Sequence, residues 1–168
     1  MVLTNNDVLR RVRYAFDYDD STMITIFGKA DCVVTRKEVS AWLKSEKDPD
    51  QELCSDRQLA TFLNGLIIKL RGKKEGPQPQ PEKFLTNNII LRKLKIALNL
   101  QADDMLEILK LSGLVISKHE LSAFFRRPGN THFQPCKDQA LRNFLNGLRL
   151  RYRGSSAVDP EGTKKACS

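Results

Sequence analysis

The side chains best placed to act on another molecule are cations. Seven pairs of basic residues stand 82 positions apart: Arg10 and Arg92, Arg11 and Lys93, Arg13 and Lys95, Arg36 and Lys118, Lys44 and Arg126, Lys69 and Arg151, Arg71 and Arg153. Only Glu38/Glu120 and Asp56/Asp138 are acidic in both members. Residues 3–72 hold 11 basic and 11 acidic side chains, whereas residues 85–154 hold 12 and 5, net +7 of a total of +8. Such an asymmetry points to one face for an anionic partner. Ammonium and guanidinium groups on that face would contact phosphates, with affinity falling steeply with salt. Lys44/Arg126, Lys69/Arg151 and Arg71/Arg153 are expected in last helical turns, where the helix dipole favours cations in any case. The triplet Arg10, Arg11, Arg13 and its twin are expected in mid-helix on the polar side. There the plain alternative is a solvated helix face. The candidate nucleic-acid contacts are Arg92, Lys93, Lys95, Lys118, Arg126, Arg149, Arg151 and Arg153.

Catalytic and metal chemistry find little footing. The sequence has no G-x-S-x-G, no H-E-x-x-H and no phosphate-binding loop. Cys32, Cys54, Cys136 and Cys167 form no C-x-x-C pair, and His119 and His132 are the only histidines. Nothing resembles four clustered zinc ligands, so free thiols in a reducing compartment are expected. Asp17-Tyr18-Asp19-Asp20-Ser21 lacks the glycine and glutamate of a calcium loop. The expectation is no enzyme, no metal and no cofactor. Asn64-Gly65 and Asn146-Gly147 interrupt apolar helices, and a mid-helix glycine costs about 1 kcal/mol relative to alanine. Close helix approach, with the asparagine bonding a loop carbonyl, would offset that cost. A small ligand site between the copies is the alternative.

The elements that position these residues are duplicated. Shifting the chain by 82 residues aligns 3–72 with 85–154 without a gap, with 23 identities in 70 positions. Leu3-Thr4-Asn5-Asn6 falls on Leu85-Thr86-Asn87-Asn88, and Phe62-Leu63-Asn64-Gly65-Leu66 on Phe144-Leu145-Asn146-Gly147-Leu148. Each copy carries four amphipathic patterns of helical period. They run through Val8, Leu9, Val12, Ala15 and Phe16, then Met23, Ile26 and Phe27, then Val39, Trp42 and Leu43, then Leu59, Phe62, Leu63 and Leu66.

Thr4 or Asn5, Asp20 or Ser21, and Thr35 serve as caps in the first copy. Thr86 or Asn87, Asp103, and Ser117 serve in the second. Thr35…Glu38 and Ser117…Glu120 are capping boxes. Gly72 and Gly154 stop the last helices. Cys32-Val33-Val34 and Leu114-Val115-Ile116 are short β-branched pieces between helices, expected to be apolar turn residues that plug the core. The fold class is therefore all-α: two tandem four-helix repeats packed with pseudo-twofold symmetry. The units are 1–72 and 85–154, joined by a Pro/Gln spacer at 73–84 and followed by a disordered tail at 155–168. Since a unit of 70 residues is marginal alone, the copies are expected to pack together.

The starts Asn5-Asn6-x-x-Leu9-Arg10 and Asn87-Asn88-x-x-Leu91-Arg92, with the paired Phe-Leu-Asn-Gly-Leu helices and a proline-containing linker, resemble the YehS-like family. These are small bacterial proteins built from a duplicated domain of unknown function. The resemblance spans roughly residues 2–154 and implies a bacterial cytosolic setting. It carries no activity, cofactor or site residue with it.

With no signal-peptide pattern and no apolar run near 20 residues, a cytoplasmic protein is expected. The functional expectation is a non-enzymatic binding protein that contacts nucleic acid through its basic second repeat. The alternative is a protein–protein interaction module or homo-oligomer. A loose helix-turn-helix reading would turn Arg36, Lys37, Ser40 and Lys44, with Lys118, His119, Ser122 and Arg126, towards a major groove.

Overall fold

A computed structural model describes residues 2–153, and the expected tail lies outside these residues. The described residues are helical, without strands. Helices α1 (Asn5–Ala15), α2 (Asp20–Lys29), α3 (Arg36–Leu43) and α4 (Asp56–Arg71) form the first repeat. Helices α5 (Asn87–Ala97), α6 (Ala102–Leu111), α7 (Lys118–Ala123) and α8 (Asp138–Tyr152) form the second.

Local chemistry sets the ends. Thr4, Thr35, Ser55, Thr86 and Ser117 each cap a helix through the side-chain oxygen. The second helix of each copy starts one or two residues earlier than its sequence suggests. The cap of α2 is Asp19, and at α6 the Gln101 amide donates to Asp104. Asp17 and Asn99 take left-handed φ of 54° and 53°, and Asp31 and Gly113 take 59° and 93°. These equivalent positions end α1, α5, α2 and α6, because a left-handed residue redirects the chain out of the helix. Gly72 ends α4 with φ 87°.

Within each repeat the last helix packs on the second with no side chain between them. A Cβ at Gly65 would lie 1.9 Å from the Ile26 carbonyl oxygen, and one at Gly147 would lie 2.1 Å from that of Ile108. Close approach is thus the reason for both mid-helix glycines.

Between repeats, α1 lies along α8 and α4 lies along α5. Both seams run parallel. The Leu3 amide meets Asp138 where α1 and α8 begin, and Arg153 meets Tyr14 and Asp17 where they end. The Leu85 amide meets Asp56 where α4 and α5 begin. Asn5 also reaches Asp56, and Asn87 reaches Asp138, so the four starts gather at one end of the molecule. One continuous core results, with Leu9, Phe27, Phe62, Met105, Ile108 and Phe144 fully buried in it. Phe16 crosses to Tyr152 with ring centroids 5.0 Å apart.

In the Pro/Gln segment, Gln78–Pro81 wall a cleft on the first repeat, and Glu82 pairs with Lys93 of the second. Of the two apolar turns, Val34 is buried and Cys32, Leu114 and Ile116 pack against the core, while Val33 and Val115 face solvent at 96% and 77% exposure.

Candidate nucleic-acid interface

The first cation of the basic triplet binds backbone in both copies. Arg10 Nη1 donates to the Lys44 carbonyl, and Arg92 Nη2 donates to the Phe125 carbonyl. Each fastens the end of the third helix. Arg13 and Lys95 lie in last turns rather than in mid-helix. They belong with Lys69, Arg71 and Arg151 at the finishing ends of the parallel helices. Aligned dipoles concentrate negative potential there, and cations offset it. Lys44 and Arg126, by contrast, fall outside their helices, Lys44 as the cap residue and Arg126 beyond the end of α7.

The eight candidate contacts do not share one face. Lys93 is 9% exposed and Arg149 is 2% exposed, so neither is available to a nucleic-acid backbone. Lys93 Nζ lies 2.6 Å from Asn64 Oδ1 and 3.0 Å from Glu82 Oε1. Arg149 donates from Nε and Nη2 to Asn146 Oδ1 at 3.1 and 2.8 Å. The asparagines of the two Asn-Gly pairs therefore accept from cations, and neither bonds a loop carbonyl. Asn64 also borders a cleft of about 330 Å³ with Thr61, Cys32 and the Pro/Gln segment. That cleft belongs to the first repeat and the linker.

Arg153 stacks on Tyr14 at 4.0 Å and pairs with Asp17 at 3.0 Å, and Arg151 is exposed above Tyr152 at the same end of the molecule. Arg92, Lys95, Lys118 and Arg126 remain on the second repeat around α7. Lys95 lies 5.7 Å over the Phe125 ring, beside the carbonyl that holds Arg92. Lys118 lies 3.5 Å from Asp103, an exposed pair. Its equivalent Arg36 reaches Asp20 and Ser21.

The third helix and the loop after it bound a groove in each copy. The first, of about 880 Å³, lies among Lys37, Trp42, Asp50, Glu52 and Gln58. The second, of about 530 Å³, lies among His119, Phe124, His132, Gln134 and Lys137. The loops differ in charge. Residues 45–53 carry Glu46, Asp48, Asp50 and Glu52 against Lys47, net −3, and residues 127–135 carry only Arg127, net +1. This one loop thus accounts for four of the seven charges by which the copies differ. Reading the sequence for pairs of cations missed it, because the signal is acids lost rather than bases gained. His132 and Lys137 stand where the first copy has Asp50 and Ser55, so neither belongs to a pair of cations.

The loop is held by the residues that open each copy. Asn6 Nδ2 donates to the Trp42 and Glu52 carbonyls at 2.9 and 2.8 Å, and its Oδ1 accepts the Cys54 amide at 3.0 Å. Asn88 does the same for Phe124, Gln134 and Cys136. Both asparagines use donors and acceptor fully in a buried setting, so they shape the groove and bind no ligand themselves. Burial, then the neighbouring Asp56 or Asp138, pushes the Cys54 and Cys136 thiols up to about 12. A thiol so protonated at neutral pH is a poor nucleophile. Among the described residues no group of three or more histidine, cysteine or acidic side chains is placed to hold a metal. None of the helices there is long and apolar enough to cross a membrane.

Comparison with known proteins agrees with the duplicated architecture. The family described as "Protein of unknown function (DUF1456)" matches twice, over residues 5–72 and 87–154. The "Uncharacterized protein YehS" of Escherichia coli (strain K12) is 39% identical over 150 residues, covering 89% of this chain and 96% of that protein. No solved structure matches. Two matches in tandem, each spanning one four-helix repeat, place this chain in the DUF1456 family.

Proposed function

We propose that the chain is a non-enzymatic binding protein whose second repeat takes nucleic acid along α7 and the loop after it. The observation that supports this reading is the charge difference between residues 45–53 and 127–135 at the rim of otherwise equivalent grooves. Arg92, Lys95, Lys118 and Arg126, with Lys137, provide the phosphate contacts. A reducing cytoplasm suits such a partner and the free thiols of Cys32, Cys54 and Cys136.

Fluorescence anisotropy with labelled duplex and single-stranded probes tests the reading, starting at about 50 mM salt. Micromolar binding is expected. Lys118→Glu with Arg126→Glu abolishes it, and the same changes at Arg36 and Lys44 leave it intact. Neutralising two phosphate contacts lowers the salt slope by about two. Absence of binding at micromolar protein ends the reading.

A protein partner is the second reading, and one observation favours it. Exposed apolar residues recur at equivalent places: Val2 and Phe84, Val33 and Val115, Leu70 and Tyr152. Sedimentation velocity separates the two, since apolar association persists in high salt and phosphate contacts do not.

A further inference from the structure

The cleft of about 330 Å³ on the first repeat is lined by Lys29, Arg57, Thr61 and Asn64 on the helical side and by Pro79 and Pro81 of the linker on the other. Both cations are exposed, and neither has an ion-pair partner among the described residues. Asp31 is the one carboxylate in the lining. Lys29 lies in the last turn of α2, where the helix dipole favours a cation. Arg57 has no such reason. It is the second residue of α4, where the dipole opposes a cation. The neighbouring Asp56 carboxylate is already taken by the Asn5 side chain and the Leu85 amide. At the equivalent places the second repeat has Leu111 and Gln139, so the fold itself requires neither charge.

Asn64, only 7% exposed, adds a donor. Lysine can only donate, so the 2.6 Å contact with Lys93 Nζ fixes Asn64 Oδ1 on that side and turns Nδ2 away. No described residue accepts from Nδ2, and this nitrogen is not among the fully buried polar atoms that lack a partner. Its hydrogens therefore open to the cleft that Asn64 borders. Thr61 does not compete for the same acceptor, because its hydroxyl donates to the Arg57 carbonyl at 2.7 Å. The cleft thus brings together unspent donors on Lys29, Arg57 and Asn64, two of them cationic.

We infer that this cleft binds the anionic headgroup of a small organic molecule. The charges of Lys29 and Arg57 meet the headgroup, Asn64 Nδ2 donates to one of its oxygens, and Pro79 and Pro81 cover the carbon body. The volume of about 330 Å³ exceeds what a bare ion fills and lies at the lower end of the range for small-molecule sites. Phosphate and carboxylate share this chemistry. The site lies on the first repeat and is independent of the proposed α7 interface.

Titration of the isotope-labelled full chain with inorganic phosphate and, separately, with sodium acetate, at constant ionic strength, tests the inference through the Asn64 side-chain amide resonance. Saturable movement at millimolar probe is expected, and the probe that moves the resonance identifies the headgroup. Arg57→Gln with Lys29→Leu, which takes the residues that the second repeat has there, weakens binding about tenfold or more. Both positions are exposed, so the fold is retained. Asn64→Asp keeps an acceptor for Lys93, replaces the donor with a repelling oxygen and abolishes binding, read on the Thr61 amide. Lys118→Glu with Arg126→Glu leaves binding unchanged, which separates this site from α7. An Asn64 resonance indifferent to both probes, or one that moves equally in the Arg57→Gln/Lys29→Leu chain, overturns the inference.

Discussion

The Leu3 amide donates to Asp138 Oδ2 at 3.0 Å across 135 residues of sequence, and its symmetry mate, the Leu85 amide, donates to Asp56 at 2.8 Å. Each aspartate also accepts from the opening asparagine of its own repeat. One carboxylate per repeat thus ties its own first helix and the other repeat's first helix to a single point.

That clasp makes stability depend on pH. The Asn87 side chain first, and the Leu3 amide second, hold the Asp138 carboxyl below the usual carboxylate range. A depressed folded value means that the stabilisation is fully present above the unfolded pKa of about 3.9. It is lost as pH falls through the folded value. Urea unfolding between neutral and acid pH is expected to show Asp138→Ala costing about 1–2 kcal/mol at neutrality. The difference from the unsubstituted chain shrinks towards acid. A constant difference would place the effect elsewhere.

Gly147→Ala and Gly65→Ala both force a methyl into a carbonyl oxygen on the neighbouring helix. Backbone on both sides cannot yield as a flexible side chain can, so each change costs about 3 kcal/mol or more. Gly28→Ala is the control. It lies in α2 with nothing near the added carbon, and it should stabilise by about 0.5–1 kcal/mol through helix propensity. Chemical denaturation of the three variants reads both signs.

Asn88→Ala removes three hydrogen bonds at once and leaves two carbonyls and one amide beside a cavity. A loss of about 2–4 kcal/mol follows. Hydrogen exchange should rise at the Cys136 amide while the α1–α8 seam stays protected. Unchanged exchange at Cys136 would show that the asparagine does not hold the loop.

Lys93→Met separates charge from position. Lys93 lies in the seam against Asn64 and Glu82, out of reach of a nucleic-acid backbone. The substitution should change stability and leave probe binding as it was. Lys118→Glu should do the reverse, being exposed and paired only with exposed Asp103. Weaker probe binding by Lys93→Met without loss of stability would contradict its burial.

The sequence by itself determined everything that depends on near neighbours along the chain. The 82-residue repeat, the caps at Thr4, Thr35, Thr86 and Ser117, and the buried stripes through Leu9, Phe62 and Leu145 follow from period and capping chemistry. Gly65 and Gly147 announced a close approach, because contact with another backbone offsets the cost of a glycine inside a long apolar helix. Tertiary structure alone decided which helices meet across the repeats. An apolar stripe states that a face is covered and says nothing of what covers it. Pairing α1 with α8 and α4 with α5 took Lys93 and Arg149 out of solvent. Asn64 and Glu82 become acceptors for Lys93 only once its seam closes, whereas Arg149 is met by Asn146 of its own helix.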